Sequence, residues 1–81
     1  MDDAEAMRIA LVSEADAEKK RLFKQASDAI ATLQDAIDLD MATEEEELSL
    51  TAWKKYRVLL NRIQPEDVPE IVWPEIPGNV A

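Results

Sequence analysis

Proline and glycine are distributed very unevenly along this chain, and their positions restrict its fold more than any other feature. All four prolines lie within the stretch 65–77, and the one glycine is Gly78. The long stretch before Pro65 is dominated by Ala, Glu, Lys, Leu and Asp, most of which favour helices. The sequence therefore predicts helices up to Gln64 and a different kind of backbone after it.

The first predicted helix covers residues 3–39. In its second half, apolar side chains recur every three or four residues, which indicates one buried stripe made of Phe23, Ala26, Ile30, Leu33 and Ile37. Upstream, Ile9 and Val12 continue this register, but Asp16 and Lys19 interrupt it. We therefore expect the first half of the helix to pack weakly or to need a partner.

The second predicted helix covers residues 44–63. Thr43 and Glu46 have the spacing of a capping box, and the acidic run 44–47 lies at the positive end of the helix dipole. We favour capping over calcium binding, because the run lacks the ligand spacing and the glycine of an EF-hand loop. The predicted apolar face consists of Leu48, Ala52, Trp53, Tyr56, Leu59, Leu60 and Ile63.

The proline-rich segment 64–77 is too apolar for an ordinary disordered tail and favours extended or polyproline II backbone. At about 3.1 Å per residue it can run back along the second helix and place Trp73 on the hairpin. The predicted fold is all-α: an antiparallel two-helix hairpin with a packed-back tail, forming a single unit over residues 1–77. Residues 78–81 are expected to be a disordered end.

The charge and composition exclude several functions. With 18 acidic and 9 basic residues, the formal net charge is −9, which opposes binding to nucleic acid and to anionic membranes. There is no cysteine or histidine, so disulfides are impossible and structural zinc is not expected. The N-terminus lacks the positive charge and apolar run of a signal peptide, so we expect a soluble, cytoplasmic protein.

Catalysis is not expected, and no cofactor is predicted. Ser13, Ser27 and Ser49 have no histidine to activate them, and one glycine cannot build a phosphate-binding loop. A chain of 81 residues is also too short for a convincing low-dielectric pocket, although paired carboxylates are abundant.

Four side chains are candidates for contact with a partner protein: Trp53, Tyr56, Arg57 and Trp73. For the aromatic residues, packing in a small core and anchoring a partner are both open, because large aromatic side chains serve in either role. Self-association through the first helix is a further hypothesis, with contacts at Ile9, Val12, Phe23 and Ile30.

Three segments resemble a known family. They are residues 33–47 (LQDAIDLDMATEEEE), residues 52–62 (AWKKYRVLLNR) and the pair Trp73-Pro74 followed by Pro77. Together they are similar to the C-terminal region of the caudovirus tail-fibre assembly proteins of phages and prophages. The resemblance covers roughly residues 20–77. The linker 64–69 differs from the Asp/Ser/Thr-rich linker of that family.

The resemblance implies a chaperone that binds the C-terminal segment of a tail fibre protein and assists its folding and trimer assembly. It also implies action in the host cytoplasm, with some members remaining at the fibre tip. Family members carry a larger β-rich domain before this region, so we expect a C-terminal domain or a truncated form. The alternative from a different class is an acidic antagonist, either a DNA mimic or an antitoxin-like neutraliser of a basic protein, with strongly salt-sensitive binding.

Overall fold

Two helices and a short helical turn make up the part of the chain that the computed structural model describes, residues 3–77. Helix α1 runs Asp3–Asp38 and helix α2 runs Glu44–Asn61, followed by a 3₁₀ turn at Pro65–Asp67. No strand occurs in residues 3–77, and the helices pack on each other. The predicted all-α hairpin with a long first helix is confirmed, and the expected disordered end, 78–81, lies outside the described residues.

Helix α1 ends in a backbone motif that satisfies its last carbonyl groups. The amide of Met41 donates to the carbonyl of Ala36 (2.7 Å) and that of Asp40 to Ile37 (3.0 Å), which is the Schellman pattern. Asp40 takes the left-handed conformation that this pattern needs, with φ 57°. Aspartate tolerates this conformation better than most residues, so the turn forms without glycine.

Helix α2 begins with the predicted capping box. The amide of Glu46 donates to the Thr43 hydroxyl (3.1 Å), and the amide of Thr43 donates to the Glu46 carboxylate (3.0 Å). The four glutamates Glu44–Glu47 occupy the first turn, where the helix dipole favours negative charge. Local sequence thus fixes both the position and the sharpness of the turn between the helices.

Replacing Thr43 by alanine should lower the free energy of unfolding by about 1 kcal/mol, because the Glu46 amide at the start of α2 loses the hydroxyl that accepts its hydrogen bond. Chemical denaturation followed by circular dichroism measures this change. The matched control is Thr51→Ala, in the exposed middle of the same helix, where Thr51 only donates to the Glu47 carbonyl (3.3 Å). We expect the control to stay within about 0.5 kcal/mol of wild type, and equal losses in both variants would contradict the capping argument.

Helix α2 ends at Asn61, slightly before the predicted end at 63. Gln64 already has extended backbone (φ −111°, ψ 114°), because the following Pro65 disfavours helical geometry there. The segment was predicted to be extended throughout, but residues 65–67 form one 3₁₀ turn, and the stretch 71–77 has no regular secondary structure. A proline at the start of a helical turn lacks only an amide that would be unpaired in any case.

The core lies where α2 crosses the second half of α1. Its central cluster contains Leu22 and Ala26 from α1 and Tyr56 and Leu60 from α2. The other buried apolar residues are Ala15, Ile30 and Leu50. Trp53, Ile63 and Trp73 pack against the central cluster and are partly buried. As predicted, the tail therefore returns to the hairpin and contacts it through Trp73.

Several residues predicted for the core are instead exposed. Phe23 on α1 and Leu48, Ala52 and Leu59 on α2 all lie at the surface. On α2, the buried positions are Leu50, Tyr56 and Leu60. The predicted face was too wide: a single partner helix covers only part of it, so the apolar residues beside the contact line remain in solvent.

The first half of α1 extends beyond the end of α2 and is held by the tail. The Arg8 guanidinium donates to the carbonyl oxygen of Glu66 at 2.9 Å. The Lys19 ammonium donates to the carbonyl oxygens of Ile63 (2.8 Å) and Asn61 (3.4 Å). These bonds link α1 to the main chain just after α2, at the place where the sequence predicted weak packing.

Candidate interaction surface

The predicted contact residues Trp53, Tyr56 and Trp73 lie on or against the core. Trp53 and Tyr56 form an edge-to-face pair, with ring centroids 5.7 Å apart and planes at 88°. Tyr56 is only 3% exposed, whereas Trp53 and Trp73 keep part of their surface in solvent. Tyr56 therefore packs the hairpin, and only the two tryptophans could touch another protein.

Tyr56 has a buried hydroxyl with no hydrogen-bond partner among the described residues. Burial raises the pKa of this phenol, because the phenolate would lose its hydration, and the nearby Glu18 carboxylate raises it further. The Arg21 guanidinium acts in the opposite direction but does not cancel the effect. The same guanidinium donates to Glu18 at 2.8 and 2.9 Å and lowers the pKa of that carboxyl.

Replacing Tyr56 by phenylalanine should leave the protein as stable as wild type or more stable by up to about 1 kcal/mol, because an unpaired buried hydroxyl is removed. The raised pKa adds a pH dependence. Because the phenol keeps its proton more tightly in the folded protein than in the unfolded chain, wild type loses stability when the phenol ionises. This loss is absent below the ordinary tyrosine pKa of about 10 and is complete once the pH has risen through the raised pKa. Unfolding curves at neutral pH and above pH 10 should show this alkaline loss in wild type and not in the variant. A variant that is clearly less stable at neutral pH would contradict the argument.

Arg57, the fourth predicted contact residue, lies on a different side of α2 from Tyr56. It is half-buried, and its guanidinium donates to the Ser27 hydroxyl of α1 at 3.4 Å. The structure therefore does not bring all four predicted residues into one site. Trp73 and Tyr56 meet at the core, while Arg57 borders a separate surface.

That surface consists of three adjoining shallow depressions, which share Phe23, Val58 and Asn61 and which together we call the basic-rimmed groove. Its floor contains three exposed apolar side chains: Phe23 of α1 (36% exposed) and Val58 and Leu59 of α2 (51% and 49%). Its rim contains seven of the nine basic residues of the chain: Lys19, Lys20, Lys24, Lys54, Lys55, Arg57 and Arg62. Among residues 3–77, the one acidic side chain that lines it is Asp16. The sequence did not predict this groove, because helical periodicity assigned Phe23 and Leu59 to the core.

The rim cations on α1 and α2 differ in their pairing. On α1, Lys20 pairs with Asp16 (2.9 Å) and Lys24 with Asp28 (2.8 Å), and the second contact raises the pKa of Lys24. The neighbouring Lys19 forms no ion pair with Asp16, because its ammonium group donates to carbonyl oxygens near the end of α2. On α2 and at its C-cap, four rim cations have no ion-pair partner among residues 3–77: Lys54, Lys55, Arg57 and Arg62.

The residues proposed for self-association through α1 are also separated. Ile30 is buried inside the hairpin, so it cannot face a second copy. Ile9 and Phe23 are exposed, and Val12 is half-buried near the 3₁₀ turn. Self-association through this helix therefore stays a prediction, and it would have to use Ile9 and Phe23 without Ile30.

Residues 3–77 contain neither a cluster of metal-binding side chains nor a membrane-spanning helix. No group of acidic side chains there is arranged to hold a metal ion, and the glutamates of α2 serve its N-terminus. Neither α1 nor α2 combines the length and the apolar character that crossing a bilayer requires.

Comparison with known proteins identifies what the chain is similar to. A family profile described as Caudovirales tail fibre assembly protein, lambda gpK, matches residues 1–78. Protein TfaD of Escherichia coli K12 is 53% identical over 75 residues, covering 93% of this chain and 40% of the relative. The tail fiber assembly protein of Escherichia phage lambda is 52% identical over 75 residues, with 93% and 39% covered.

A more distant relative is the tail fiber assembly protein U of Escherichia phage Mu, 38% identical over 64 residues, which cover 79% of this chain and 35% of the relative. The chain thus spans about two fifths of the length of the curated relatives it matches. No solved structure matches it.

Proposed function

Because the chain belongs to the Caudovirales tail fibre assembly protein family, we propose that it binds the tail fibre protein and assists its folding and trimer assembly. The phage relatives are named for tail fibre assembly, which is a non-catalytic role. The family and these relatives favour this function over an acidic antagonist of a basic protein.

The physical support is the amount of apolar surface that the hairpin leaves uncovered. Two helices and a tail bury one small cluster, while both helices keep large apolar side chains in solvent. The most exposed of these on the helices and the turn between them are Met7, Ile9, Leu39, Met41, Leu48 and Val58. Apolar surface of this extent on a small protein is typical of a module that binds a partner.

Trp53, Arg57 and Trp73 remain proposed contacts with the fibre. All three side chains are partly exposed, and each is held in place, the tryptophans by packing against the core and Arg57 by its hydrogen bond to Ser27. Fixing a side chain in advance lowers the entropy lost on binding. Tyr56 would act indirectly, by supporting Trp53 through their edge-to-face contact. We propose that binding takes place in the host cytoplasm during assembly, with the fibre tip as a final location.

Co-expression with the fibre protein tests this function. We expect a larger fraction of the fibre to be recovered as trimer when the chain is present, measured by light scattering after size-exclusion chromatography. The matched control is co-expression with the Leu60→Ala variant, which lacks a core side chain and should not assist. If the fibre trimerises equally well without the chain, the proposed assembly function of these 81 residues is wrong.

A further inference from the structure

We infer that the basic-rimmed groove is a docking surface for an acidic segment of the tail fibre protein that also carries an apolar side chain. This inference rests on the proposed function and names the chemistry of the contact. Three observations support it. The apolar side chains on the floor of the groove take no part in the core, the rim is positively charged although the protein is strongly negative, and several rim cations form no ion pair within residues 3–77.

The floor of the groove has no role in holding the hairpin together. Phe23, Val58 and Leu59 lie outside the buried cluster, and each exposes more than a third of its side chain. The tail does not cover them: it packs beside Leu11 and Ala15 of α1, and no described residue after Arg62 lines the groove. An apolar side chain inserted between the two helices would remove this surface from water.

The charge on the rim is opposite to that of the molecule. The chain carries −9 overall, yet most of its positive side chains surround this one groove. The dipole of α2 explains cations in its last turn, but Lys54 and Lys55 lie about two turns before Asn61, where the dipole has little effect. Their position therefore calls for a reason outside the helix.

The unpaired cations indicate which partner fits. Lys54, Lys55 and Arg62 lack ion-pair partners among residues 3–77, so carboxylates of a partner could bind them without displacing an internal pair. A nucleic acid would meet repulsion from the rest of an acidic chain and would not use the apolar floor. A second copy would bring its whole −9 charge to the contact, whereas a short acidic segment of the fibre brings its carboxylates to the rim alone and therefore fits best.

The test compares two exposed valines. Val58→Glu places a carboxylate on the floor of the groove, whereas Val72→Glu makes the same change on the tail, where Val72 is 85% exposed and outside the groove. We expect Val58→Glu to weaken binding of the fibre C-terminal segment about tenfold or more, and Val72→Glu to change it less than about twofold. Isothermal titration calorimetry at two salt concentrations measures both, and wild-type affinity should fall as salt rises.

Two charge-reversal variants distinguish the effect of charge on the rim of the groove from the effect of the net charge of the protein. Lys55→Glu on the rim and Arg21→Glu outside the groove change the net charge equally. Only the first should weaken binding of the fibre segment, again by about tenfold. Circular dichroism of each variant shows whether the hairpin is still folded, and amide chemical shifts on titration show whether Phe23 and Val58 lie at the contact.

The outcomes separate this inference from the proposed function. If wild type binds the fibre segment, and Val58→Glu and Lys55→Glu bind it as tightly as wild type does, the groove is the wrong surface and the proposed function stands. If wild type does not bind the fibre but binds a synthetic Glu/Leu-rich peptide at Phe23 and Val58, the function fails and the preference for an acidic segment is supported. If Val58→Glu instead abolishes a dimer seen by sedimentation, the occupant is a second copy and the assignment to the fibre is overturned.

Discussion

Replacing Leu60 by alanine should remove most of the protein's stability at 25 °C. Leu60 is 0% exposed and lies in the central cluster with Leu22, Ala26 and Tyr56. Truncating a buried leucine lowers the free energy of unfolding by about 2–5 kcal/mol, because apolar contacts are lost and a cavity remains. A single core in a chain of this size supplies about 3–5 kcal/mol in total. Urea denaturation followed by the helical circular dichroism signal measures the loss.

The neighbouring residue provides the control. Leu59→Ala removes the same atoms from the same helix, but Leu59 is 49% exposed and lies outside the buried cluster. We expect its effect to be below about 1 kcal/mol. If the two variants lose stability equally, α2 faces α1 differently from the arrangement described above.

Replacing Trp73 by alanine should release the tail from the hairpin and lower the free energy of unfolding by about 2 kcal/mol. Trp73 packs against the central cluster from the stretch 71–77, so its indole forms an apolar link between the tail and the core of the hairpin. Relative to wild type, amide hydrogen exchange should become faster in residues 65–77, with a smaller change in α2. The fluorescence of the remaining Trp53 should also report a wetter environment.

Val72→Ala is the corresponding control, because it truncates an adjacent side chain that is 85% exposed. We expect stability and exchange rates close to those of wild type. Unchanged protection of the tail in the Trp73 variant would mean that backbone contacts, such as the bond from Arg8 to Glu66, hold it without the indole.

The elements that were predicted correctly depend on local sequence. The capping box of Thr43 and Glu46 needs only a spacing of three residues, and Pro65 restricts its neighbours wherever it stands. The docking of Trp73 was also predicted, because chain length and helix length together gave the tail enough reach. None of these predictions required knowing which face of one helix packs against the other helix.

The core residues of α2 and the groove were predicted wrongly because both depend on which face of each helix packs against the other. Helix α2 has two neighbouring apolar stripes, one through Leu50 and Leu60 and one through Leu48 and Leu59. Both have helical spacing, so periodicity alone does not reveal which one packs on α1. The groove was missed for the same reason, since its floor joins Phe23 to residues of α2 that come next to it only through the register of the hairpin.

The bonds from Arg8 and Lys19 have a consequence for how this protein can change over evolutionary time. Both side chains bind main-chain carbonyl oxygens in the stretch 61–66, and every residue type supplies such an oxygen. The exposed side chains of Gln64 and Glu66 are therefore free to vary while the anchoring of the tail is kept. A linker that differs from the pattern of its family is thus compatible with the same architecture, and randomising these two positions should yield mostly folded proteins.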